Sequence, residues 1–195
     1  AEIGRSVPYS SLSEDLSFLD VENVIQRRLR DQLALSLDTL AATAFKTAKV
    51  KYIPTGLAAG TFDTDGTAST TASANYNVFH AEEVRDYLFD TLQTPPRDGD
   101  NYVGIFRTLG LRGIKRDPDW ETWHKYTDPQ AKYTGEVGMI ENIRHIETNH
   151  ANALAKKGTG SVLGEGVVFG TDAIALAEVL TPELRAGIPE DHGRS

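Results

Sequence analysis

The chain has 195 residues, 39% of them hydrophobic and 25% charged, enough for one sizeable core or two small ones. Its 28 acidic against 20 basic residues leave a formal net charge of -8, which provides no large favourable field toward nucleic acid and argues against direct DNA recognition. It has no cysteine, which excludes disulfide staples, thiolate metal sites and cysteine nucleophiles, and no run approaches the roughly 20 apolar residues that cross a bilayer.

Near the amino end, Ile3, Val7 and Tyr9 fall on one alternating face, which predicts a strand interrupted by Pro8 and ended by Ser10 and Ser11. From Asp20 the period becomes helical: Ile25, Leu29, Leu33, Leu37, Leu40, Ala44 and Ala48 form one stripe, with Arg27, Asp31 and Asp38 facing away. A helix over residues 20–48 would be roughly 42 Å long and should lay that stripe on a sheet. A short strand is predicted over 49–54. Residues 55–74 then form a polar, small-residue tract (Gly56, Ala58, Gly60, Asp63, Asp65, Gly66) that buries little apolar surface; it is expected to be mobile until a neighbouring subunit orders it.

A second helix is predicted over 80–92, with Val84, Leu88 and Leu92 on one face and Pro95-Pro96 as its stop. It should pack on the strand Asn101-Tyr102-Val103-Gly104-Ile105-Phe106. Asp117-Pro118-Asp119-Trp120 sets an N-cap and an N1 proline for a helix that ends at Tyr126. Residues 135–148 read as two strands around a turn at Glu141-Asn142. After a connection over 151–160 come a strand over 166–169 and a short helix over 172–179.

The chemistry-bearing patterns each have a plainer reading. The glycine-rich Gly158-Thr159-Gly160-Ser161 stretch lacks the Gly-Lys-Ser/Thr of a phosphate loop and reads as a linker. Asp63-Thr64-Asp65-Gly66 resembles the start of a calcium loop, but its twelfth position is Ala74, which cannot ligate, so a turn is expected. His145, Glu147 and His150 lack the HExxH spacing and read as surface or interface residues. Glu136, Glu141 and Glu147 are the group from which a hydrolase could draw a carboxylate pair. Trp120, Trp123 and Tyr126 read as core packing, with one tryptophan at an interface. The cluster Arg27-Arg28-Arg30 reads as solvated helix charge or as ion pairs such as Arg27 with Asp31.

The order of apolar strand, Asp-Pro-x-Trp helix, Gly135-Glu136-Val137-Gly138 hairpin and Arg144-His145-Ile146-Glu147-Thr148 resembles the major capsid proteins of tailed bacteriophages, in the short-tailed-phage subfamily. Leu37-Asp38-Thr39-Leu40 and Val168-Phe169-Gly170-Thr171-Asp172-Ala173 extend the resemblance over roughly residues 10–195, whereas Arg107-Thr108 stands where the subfamily has His-Pro. The resemblance implies an α+β, Hong Kong 97-type fold with a long spine helix and a mixed-sheet axial domain. It implies a peripheral-type region over 1–76, an axial-type domain over 77–180 and a return toward the periphery over 181–195.

The implied function is structural: self-assembly into the icosahedral head of a tailed phage, in the virion, after assembly in the host bacterial cytoplasm. Implied partners are other copies of the chain, a scaffolding protein and packaged double-stranded DNA held without sequence recognition. No membrane partner, catalytic residue, metal or cofactor is expected. Arg27, Arg30, Asp63, Asp65 and Trp123 are the candidates for inter-subunit contact. The missing arm, loop and closing strands of that subfamily imply a fragment of a longer subunit that builds no closed shell alone. The alternatives are a hydrolase using the hairpin glutamates and a non-viral shell protein.

Overall fold

The computed structural model describes residues 7, 20–118, 136–150 and 153–175. Of the helix expected over 117–126 only residues 117 and 118 are described, and the amino-terminal strand, Val7 apart, and the 181–195 return lie outside these residues; residues 172–175 are turn and irregular backbone with Asp172 at φ 55°, so the helix expected over 172–179 does not begin at Asp172. Contacts divide the chain into two compact units, residues 1–37 with 176–195, and residues 38–175.

Helix α1 (Val21–Lys46) starts where expected, because Asp20 Oδ1 accepts from the Asn23 amide at 3.1 Å as an N-cap. Its 26 residues, however, contain one buried side chain, Ala42. Ile25, Leu29 and Leu33 are half-buried, but Leu37 and Leu40 are 43% and 45% exposed and Ala44 is exposed. The inward positions of the second half are instead Thr39, Ala42 and Phe45. This overturns the expected Hong Kong 97-type fold, in which a long helix works as a packed spine. The described residues form an α+β fold with small open sheets, and none of its helices has that role. Periodicity alone cannot choose between two adjacent apolar sides of one helix; the contact of Phe45 with Phe169, ring centroids 4.6 Å apart, fixes which side turns inward.

Strands β1 (Lys51–Gly56) and β2 (Ala59–Asp63) pair antiparallel, from Lys51 opposite Asp63 to Gly56 opposite Ala59. The second strand lies inside the tract expected to be mobile, which is a correction. Phe62 anchors the strand by ring packing, and hydrogen bonds tie the rest of the tract down: Gly66 N donates to Lys49 O, Ser73 N to Pro54 O, and Ser73 Oγ to Thr55 O.

Helix α2 (Val78–Asp86) is capped by Asn77, whose side chain accepts from the His80 amide, and continues as a π-helical turn, Tyr87–Thr91. It packs on a mixed four-stranded sheet of order β4-β5-β3-β8, made of β3 (Tyr102–Arg107), β4 (Glu136–Ile140), β5 (Ile143–Thr148) and β8 (Gly166–Phe169). The β4–β5 turn is as expected, with Glu141 and Asn142 both at positive φ (48° and 56°), the two-residue geometry that matches strand twist. A parallel β3–β5 pair needs a crossover, which begins with the short helix α3 (Arg112–Lys115). Two further two-residue strands, β6 (Lys156–Lys157) and β7 (Leu163–Gly164), close the glycine-rich linker into a small antiparallel pair.

Alternation along β3 buries Tyr102, Gly104 and Phe106 on one face. Ala81, Val84 and Leu88 from the second helix and its π turn, with Tyr76, Leu111, Ile114 and Ile143, complete that core. The opposite face carries Val103 beside Phe169, and the carboxyl end of α1 reaches it through Phe45.

Candidate functional site

The most chemically specific region of the second unit is a run of rings from the β1–β2 hairpin into the sheet. Phe62 stacks on Tyr87 at 4.2 Å and meets Tyr52 at 4.6 Å. Tyr52 lies against His80, and Tyr76 joins His80 at 6.3 Å to Phe106 at 4.9 Å and His145 at 6.0 Å. Phe106 and His145 stack at 5.4 Å. Glycines make room for this: a Cβ at Gly104 or Gly166 would overlap the Phe106 ring, so the ring lies over the sheet only because both positions lack side chains.

The two histidines are both fully buried but differently served. In His80, Nε2 lies 3.0 Å from the Gly56 carbonyl and Nδ1 lies 2.7 Å from the Tyr52 hydroxyl. A carbonyl can only accept, so Nε2 carries the proton and Tyr52 donates to Nδ1. Burial lowers the His80 pKa, opposed by the Gly56 carbonyl and by Glu83. Burial and Glu83 push the Tyr52 phenol up to about 12. His145, by contrast, has no hydrogen-bond partner at either nitrogen, and neither does the Tyr76 hydroxyl. Backbone groups of Ile143 and Gly138 approach the His145 imidazole and favour its charged form, without completing a hydrogen bond; burial outweighs them and lowers the pKa to about 4.

Glu147 lies two residues further along β5, where its carboxylate accepts from Lys115 Nζ. Burial pushes its pKa up, but hydrogen bonds from Lys115 and Thr108 outweigh that and hold it below the ordinary value. With Thr108, Thr148 and Asn149 it lines a shallow depression. Glu141 sits at the exposed hairpin turn, and the four steps along the strand from Ile143 to Glu147 alone span roughly 13 Å. These two carboxylates do not converge, which removes that pairing from the hydrolase alternative; the Glu136 side chain is not among those described.

His150, expected at the surface or an interface with His145, reaches Asp38 Oδ2 at 2.7 Å. His145 itself is a core residue, a correction to that expectation. Among the described residues no group of three or more His, Asp or Glu side chains is placed to hold a metal.

The expected contact residues are dispersed. Arg27 lines a shallow surface of α1 with Asp20, Asn23, Val24, Arg28 and Asp31, and Arg30 is exposed on the same helix. Asp63 Oδ2 accepts from both the amide and the hydroxyl of Ser69, and Asp65 Oδ1 accepts from the Thr67 amide, so both carboxylates organise their own loop. Trp123 lies outside the described residues.

The ring seam was missed in the sequence, although part of its signal was present. His80 precedes Val84 and Leu88 at intervals of four, on the apolar side of the second helix, and His145 alternates in phase with Ile143. Tyr52 and Tyr76 carried no such marker.

Comparison with protein-family models, with curated proteins and with solved structures gave no match.

Proposed function

We propose that the chain is a structural subunit that works by self-association, as the major capsid protein of a tailed bacteriophage. The observation that carries the reading is the apolar side of α1 left open to solvent: Leu40, Ala41 and Ala44 are exposed along one side, and so is Leu37 one turn earlier. Covering the two leucines gains on the order of 1 kcal/mol each, since both are already part-buried. A contact that weak holds little as an isolated pair, but repeated around every copy of a lattice it accumulates through multivalency. The order of sequence motifs supplies the capsid part of the proposal. On this reading the partners are further copies, a scaffolding protein and packaged double-stranded DNA held without base readout, and the location is the virion. The net charge of -8 accords with DNA being enclosed rather than recognised.

Sedimentation velocity over a concentration series tests self-association. The purified chain should shift to larger species as concentration rises, while Leu37→Glu combined with Leu40→Glu should stay monomeric with an unchanged circular dichroism spectrum. A wild-type chain that is monomeric throughout, or a double variant that associates equally, overturns the reading. Electron microscopy of the associated material should show regular curved lattices; amorphous aggregate would count against a capsid subunit.

A further inference from the structure

We propose that the β4–β5 hairpin is held by an acid-sensitive lock: the imidazole of His145, buried without a hydrogen-bond partner against Tyr76 and Phe106, keeps the hairpin seated only while neutral, and its protonation releases the hairpin from β3. The proposal is independent of the capsid reading.

Among the described residues the packing offers the ring no side-chain hydrogen-bond partner. Its cross-strand neighbours are Gly104 on β3 and Gly138 on β4, neither of which offers a side chain. Phe106 presents a ring face, and Tyr76 presents a hydroxyl that is itself unpartnered. Among the described side chains, the other titratable groups on the elements around it are committed elsewhere. Tyr102 donates to Thr94 O, His80 is held between Tyr52 and Gly56, and Arg144 of the same strand meets Asp98 at 3.4 Å. Glu147, the carboxylate on the same face, is paired with Lys115. No charged side chain contributes to the lowered pKa of His145. A proton added here therefore creates a buried cation whose only counterweights are the backbone groups of Ile143 and Gly138, which complete no hydrogen bond to it; burial outweighs them, and such a group either stays neutral or reaches water.

Reaching water means moving β5. Among the described strands β5 is bound to β3 on one side and to β4 on the other, and β4 is an edge strand with β5 as its only partner. The tight turn at Glu141-Asn142 makes these two strands a self-contained hairpin, so separating from β3 exposes His145 and leaves the β4–β5 pairing intact. His80 does not share this behaviour. If its Nδ1 takes a proton, the Tyr52 hydroxyl can turn from donor to acceptor and both nitrogens stay bonded.

Hydrogen exchange on the intact chain, corrected for intrinsic rates, tests this at about pH 7.5 and about pH 5. Residues 138–148 should lose protection by tenfold or more at the lower pH while the β1–β2 hairpin and α2 keep theirs, and His145→Leu should abolish the difference. Unchanged protection in the wild type, uniform loss across the unit, or the same loss in His145→Leu would overturn the lock. Should His145→Leu not fold, an NMR titration of the wild-type imidazole decides. A midpoint displaced to acid and coincident with hairpin opening supports the lock; a midpoint near the ordinary histidine value with the hairpin still protected overturns it.

Discussion

The hydroxyl of Tyr52 and Nδ1 of His80, 28 positions apart in sequence, lie 2.7 Å apart and tie the β1–β2 hairpin to the helix Val78–Asp86. Replacing Tyr52 by Phe leaves the ring packing and removes the donor, so a buried nitrogen loses its partner. The expected cost is about 1 to 3 kcal/mol in urea unfolding. A change below about 0.5 kcal/mol, the range of neutral surface substitutions, would show that water replaces the hydroxyl.

Gly166 and Phe106 should be energetically coupled. Gly166→Ala places a methyl into the Phe106 ring and should destabilise by about 1 to 3 kcal/mol through overpacking. In a double-mutant cycle, Phe106→Leu should take away a good part of that penalty by vacating the ring plane. Strict additivity of the two changes would mean that the methyl is accommodated some other way.

Asp63→Ala deletes the acceptor for both the amide and the hydroxyl of Ser69. The loss should be about 1 kcal/mol, since the group is exposed, with faster hydrogen exchange confined to residues 64–73. Equal exchange in wild type and variant would return this loop to the mobile segment that its composition suggested.

Stability should fall with acid in a window set by His145. Its folded-state pKa, lowered by burial to about 4, lies below the unfolded value near 6.5. The neutral form is thus favoured by folding, and its contribution is complete above the unfolded value and is lost as pH drops toward 4. The full loss is on the order of 3 kcal/mol, at 1.36 kcal/mol per unit. Urea titrations of wild type and His145→Leu over this interval should diverge by that amount; parallel curves would assign the acid sensitivity to other groups.

Much of the local structure is legible from residue order. Asn77 and Asp20 cap helices because short polar side chains reach the free amides of a first turn. Glu141-Asn142 turns a hairpin because both residues accept positive φ at a modest cost, and the β-branched and aromatic run before Arg107 becomes a strand by alternation. Each of these is decided within a few residues. What faces what is decided by partners far away in sequence. Whether α1 turns Leu37 and Leu40 or Thr39 and Ala42 inward depends on Phe169, more than 120 positions on, and the polar tract after Thr55 owes its order to Pro54 and Lys49, which its composition does not reveal. His145 reads as a surface residue because histidine is polar. Only the tertiary structure sets it between two glycines and two rings, where the desolvation cost of a charge, and not the residue type, determines what it does.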